Sequence, residues 1–73
     1  MTQEQWNILV GSIHEEKLSN KDPYGLYYSF EAAGVDNEGI WHAQVDEIEN
    51  DERSHLVLTS LTFEGLVKKL NEL

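Results

Sequence analysis

Three histidines (His14, His42 and His55), three serines that fall in or beside strands, and a large excess of carboxylates are the residues here with chemistry to offer. Metal binding needs three or four ligands meeting at one point. His42 and His55 fall on outward positions of neighbouring strands, offset by about four residues, or roughly 13 Å at about 3.3 Å per residue. His14 lies at the margin of a helix. That spacing favours cross-strand pairs, His42 with Glu31 and His55 with Asp46, over a metal site. Nucleophilic catalysis is no better served. Ser29, Ser54 and Ser60 have no glycine-flanked elbow, and no glycine loop is present to cradle a phosphate. The carboxylates sit mostly in turns and on solvent faces, where nothing would raise their pKa values. The expectation is no catalytic residue, no metal and no cofactor.

What remains is surface recognition, and two surfaces stand out. Tyr27, His42, Gln44 and Val57 share one face of the sheet read below with Ser29 and Thr59, a mixed polar and aromatic composition common at protein interfaces. The run from Asp46 to Glu52 concentrates Asp46, Glu47, Glu49, Asp51 and Glu52, and with Asp36 and Glu38 it would form an acidic edge. Fourteen Asp+Glu against five Lys+Arg leave a formal net charge of −9. Such a chain repels phosphate backbones and anionic membranes, so neither nucleic acid nor membrane is expected as a direct partner. A protein with a basic or neutral surface is.

The elements that position these residues follow from periodicity. Thr2 and Gln5 have the spacing of a capping box, and Trp6, Leu9, Val10 and Ile13 fall on one helical stripe, predicting a first helix near residues 3–18. Gly11 lies on the opposite side, and Lys17 extends the stripe. A loop is expected over Ser19–Gly25, around Pro23. Leu26, Tyr28, Phe30 and Ala32 then alternate with Tyr27, Ser29, Glu31 and Ala33. Beyond a turn at Val35–Gly39, Trp41, Ala43 and Val45 alternate with Ile40, His42, Gln44 and Asp46, completing a hairpin with one apolar face.

Two hairpin registers keep the faces intact. A two-residue Asp36-Asn37 turn sets Ala32 opposite Trp41 and Phe30 opposite Ala43; a four-residue turn sets Phe30 opposite Val45 and Gly34 opposite Trp41. The first pairs large with small and is preferred. Val45 and Ile48 lie three apart, which predicts a bulge or strand end at Asp46-Glu47. Asn50 and Asp51 make a second turn, and His55–Thr59 a short third strand with Leu56 and Leu58 inward. Thr62 caps a last helix whose stripe is Phe63, Leu66, Val67 and Leu70, with Leu61 and Leu66 spaced as a hydrophobic staple.

These elements predict a single α+β domain over residues 1–73: two layers in the order αβββα, a three-stranded antiparallel meander with both helices packed on one face. The element order resembles that of double-stranded-RNA-binding domains, although the basic helix start of that family is replaced here by Phe63-Glu64-Gly65. The run TSLTFEGLVKKLNEL, Thr59 to Leu73, is similar to the C-terminal part of HicB-type antitoxin domains without their Gly/Pro-rich segment.

The functional expectation is a small acidic, non-catalytic protein-binding module, a regulator or inhibitor. An acidic nucleic-acid mimic that blocks a DNA- or RNA-binding protein, or an antitoxin-type partner, are the alternatives. The start, Met-Thr-Gln-Glu-Gln, has no basic leader region, and no apolar run approaches about 18 residues, so the expected address is cytoplasmic. The meander leaves two edge strands, which makes a homodimer an expected assembly.

Overall fold

The computed structural model describes residues 1–18 and 25–73, so the expected loop, apart from Gly25, lies outside the described residues. Helix α1 spans Gln3–Gly11, strand β1 Leu26–Val35, β2 Trp41–Glu49, β3 Glu52–Ser60 and helix α2 Phe63–Asn71. The strands form one antiparallel sheet in the order β1-β2-β3, an α+β meander. No helix among the described residues is long and apolar enough to cross a membrane.

Both helix starts form as their residue types dictate. Thr2 Oγ1 accepts from the Gln5 N–H at 3.1 Å while Gln5 Oε1 accepts from the Thr2 N–H at 2.9 Å, closing the capping box. Thr62 Oγ1 accepts from the Gly65 N–H at 3.0 Å. The expected staple does not form, because Leu61 is 81 % exposed.

Helix α1 is shorter than its stripe suggests. It stops at Gly11, Ser12 donates its hydroxyl to the Ile8 carbonyl at 2.6 Å, and His14 is extended. A 3-10 turn, Glu15–Lys17, takes the place of the expected last turns. Ile13 is still buried, so the stripe recorded burial correctly although the helix had ended. Lys17 donates from Nζ to the Leu73 carbonyl, tying this turn to the end of α2.

The core lies between the helices and one face of the sheet. Leu9 and Ile13 meet Leu66 and Leu70 of α2 over Ala43 and Val45 of the middle strand, all buried. Half-buried aromatics close the margins: Trp6 meets Phe30 edge-on at 4.8 Å between ring centres, and Trp41 meets Phe63 at 5.1 Å. Small residues at the centre of β2 let the helices approach closely.

The preferred hairpin register is corrected by the structure. Phe30 pairs with Val45, as in the other register, and the pairing then shifts by one residue at a bulge on Glu31, so that Ala32 faces Gln44, Ala33 faces Ala43 and Val35 faces Trp41. The shift rotates the rest of β1, placing Ala33 rather than Ala32 against the core. The cause is the turn. Asp36 accepts the N–H groups of Glu38 and Ile40 on its side chain at 2.9 and 3.0 Å, which holds a five-residue connection incompatible with a two-residue turn.

No bulge occurs at Asp46-Glu47. Strand β2 stays regular to Glu49, opposite Glu52 of a β3 much longer than expected. Asn50 and Asp51 both have positive φ, 51° and 68°, as the two-residue turn of a right-twisted hairpin requires.

One glycine reports the closeness of packing at the start of α2. A Cβ on Gly65 would lie 2.1 Å from Ser60 Oγ and 3.0 Å from Thr62 Oγ1. Gly65→Ala is therefore expected to lower stability by about 1 kcal/mol, the overpacking cost exceeding alanine's helical advantage. Adding Ser60→Ala should reverse the loss. Urea unfolding of the two variants checks this; a single variant more stable than the parent would refute the contact.

Candidate functional site

The sheet face opposite the helices gathers Tyr27 and Ser29 from β1, His42, Gln44, Asp46 and Ile48 from β2, and Arg53, His55, Val57 and Thr59 from β3. Alternation alone places them there, because both helices pack on the opposite face. Tyr27, His42, Gln44 and Val57 thus share a face as expected. Val57 is 65 % exposed directly opposite Gln44, and the His42 ring lies beside Gly34. His42 does not face Glu31, because the bulge places Gly34 opposite it.

The face is not uniformly solvated. Asp46 is only 2 % exposed and Ile48 5 %, although no helix among the described residues covers them. Tyr27 and Ser29 flank them on one side, Arg53 and His55 on the other. A buried carboxylate is costly unless its oxygens are paired, and here both are. Arg53 Nη1 donates to Asp46 Oδ2 at 2.7 Å, and His55 Nδ1 lies 2.7 Å from Asp46 Oδ1. The same Arg53 nitrogen stands 3.4 Å from Glu31 Oε1, which also accepts from the Ser29 hydroxyl at 2.7 Å. One guanidinium thus spans all three strands.

The electrostatics follow from that geometry. The hydrogen bond from His55, with those from Arg53 and Gln44, holds the Asp46 carboxyl below the usual carboxylate range against the opposing effect of burial. The bond to Asp46 raises Arg53 in turn. On the helix-facing side, burial pushes the Tyr28 phenol up, and the neighbouring Glu47 carboxylate adds to the shift.

The acidic run is divided by the pleat. Asp46 belongs to the open face as a buried, paired group and is corrected out of the exposed acidic edge. Glu47, Glu49 and Glu52 alternate onto the other side, near the hairpin end, and Asp51 occupies the turn. Glu49 and Glu52 stand directly opposite one another. Sequence reasoning anticipated the His55–Asp46 pair but missed Arg53 and Ile48. The available signal was that Arg53 is the sole Lys or Arg between Gly25 and Leu61, two residues from His55 and so on the same face.

Among the described residues no group of three or more His, Asp or Glu side chains could hold a metal ion. His55 and Asp46 form an oriented pair, but Ser29, the serine on this face, gives its hydroxyl to Glu31. The arrangement gives an imidazole oriented by a carboxylate.

Asp46 also sets an acid dependence. Its folded-state pKa lies below the unfolded value, so its contribution is complete above about pH 4 and is lost as pH falls through the lower, folded value. Asp46→Asn should be less stable than the parent at neutral pH, with the gap narrowing at an acid pH below the folded-state value. Urea titrations at the two pH values measure this. A gap independent of pH would show that the carboxylate's charge is not what matters.

Comparison with family models, with curated proteins and with solved structures finds no match for this chain.

Proposed function

We propose that this chain is a non-catalytic protein-binding module, a small regulator or inhibitor that engages a basic or neutral protein surface through the sheet face opposite its helices. The observation that carries the reading is the pairing of exposed Val57 with Gln44, bordered by His42 and Thr59, with Tyr27 farther along the same face opposite Ile48, on a face from which both helices are absent. The neighbouring Asp46–Arg53–His55 network holds its side chains in fixed positions, which lowers the ordering cost of binding. With its one nearby guanidinium already committed to carboxylates, the face carries little net charge, unlike the rest of the chain. Uncharged aromatic and aliphatic surface is harder to explain by solubility than acidic turns are.

A specific observation favours a second reading. Glu49 and Glu52 face each other across the hairpin end with Glu47 on the same side and Asp51 beside them, a like-charge arrangement that costs stability. An acidic mimic of a phosphate backbone would use it, occupying the basic groove of a nucleic-acid-binding protein.

Capture experiments with three immobilised forms separate the readings. For a face interface, Val57→Lys and Tyr27→Ala should each weaken capture by about tenfold or more, as loss of a central anchor does. Glu49→Lys combined with Asp51→Lys should then change mainly the association rate. For a mimic the order inverts, and binding collapses at high salt. Loss confined to the charge-reversed form would refute the face.

A further inference from the structure

The sheet has two edge strands, β1 and β3, and the described residues treat them differently. In the β2–β3 hairpin the two-residue turn makes Glu49 and Glu52 a hydrogen-bonded pair, so the backbone groups of Arg53, His55, Val57 and Thr59 point outwards from β3. Lys69 of α2 closes part of that edge by donating from Nζ to the Thr59 carbonyl. Arg53 and His55 add bulky polar side chains along it, a common guard against strand addition.

Among the described residues, the Ala32–Val35 part of the β1 edge has no such guard beyond the bulge. By the same alternation, Ala32 and Gly34 bond to β2, while the N–H and C=O groups of Ala33 and Val35 point outwards. The N–H of Asp36 bonding to the Ile40 carbonyl at 3.0 Å agrees with that phase. Among the described residues no backbone group bonds to the outward side of Ala33 or Val35. The 3-10 turn lies against β1, and within it the Lys17 N–H bonds to the His14 carbonyl and the Leu18 N–H to the Glu15 carbonyl. The Ala32–Val35 stretch itself is uncharged and small.

Charge decides what fits there. Glu31 stands at one end of the stretch, its charge partly offset by Arg53 at 3.4 Å, with Asp36 and Glu38 at the other end, and no Lys or Arg occurs between Gly25 and Glu52. A second copy of this chain, paired antiparallel about Ala33, would bring each copy's Glu31 close to the other's Asp36. Self-pairing is therefore opposed by like charges, whereas an extended segment carrying Lys or Arg at its ends would be favoured at both.

We propose that the edge of β1 from Ala32 to Val35 accepts an extended, Lys- or Arg-bearing segment of a partner protein as a fourth strand. Main-chain hydrogen bonds to Ala33 and Val35 supply the attachment, and the carboxylates at either end select a basic segment. The surface is separate from the open face, so the two assignments can fail independently.

The probe is an end-blocked peptide of alternating lysine and valine, with a glutamate–valine peptide as control. Amide exchange followed by NMR should slow at Ala33 and Val35 on adding the lysine peptide and stay unchanged with the control. Ala33→Pro removes the outward N–H without touching a β1–β2 bond, and should weaken peptide binding by about tenfold or more. The folding of that variant is checked by its thermal melt; if it does not fold, exchange in the unmodified protein decides alone. Absence of binding, binding that leaves Ala33 and Val35 unprotected, or binding retained by a folded Ala33→Pro protein would overturn the proposal. So would protection without peptide in a species of twice the chain mass, which would assign the edge to a second copy.

Discussion

A carboxylate buried on the sheet face opposite both α1 and α2 is the constraint around which that side of the molecule is arranged. Asp46 cannot be left unpaired at that depth, and its two oxygens are met from one neighbouring strand by Arg53 and His55. A one-residue slip of β3 against β2 would carry both partners to the opposite face; a two-residue slip would leave one oxygen without its partner. The network therefore ties the β2–β3 register to the chemistry of that face. Through Glu31 it also reaches the bulge in β1.

The helix side solves a different problem with little material. A chain of this length has room for one modest core and no cysteine with which to reinforce it. Ala43 and Val45 keep the centre of the sheet shallow, so four aliphatic side chains from the helical half (Leu9, Ile13, Leu66 and Leu70) pack directly onto it. Aromatic pairs seal the edges rather than the centre, which is why Trp41 and Phe30 are inward-facing yet only half-buried. Cross-links between distant segments, Lys17 to Leu73 and Lys69 to Thr59, use lysine as a hydrogen-bond donor to carbonyls rather than as a surface charge.

Periodicity and capping chemistry alone determined the element order, both helix starts, the inward stripe of α2 and the shared face of Tyr27, His42, Gln44 and Val57, because each depends on residues close in the chain. The His55–Asp46 pair was also legible, since a two-residue turn at Asn50-Asp51 leaves little freedom in pairing. The bulge was not. Ala32 and Ala33 are the same residue type, so moving the inward position from one to the other leaves no mark on the pattern. Ile48 was misread for a related reason: an apolar residue three positions from Val45 looks like a break in phase when it is a regular position on a face with its own buried patch. Tertiary structure alone decided these points, because they depend on how Asp36 shapes its turn and on which cation reaches Asp46 across the strands, interactions that no local spacing contains.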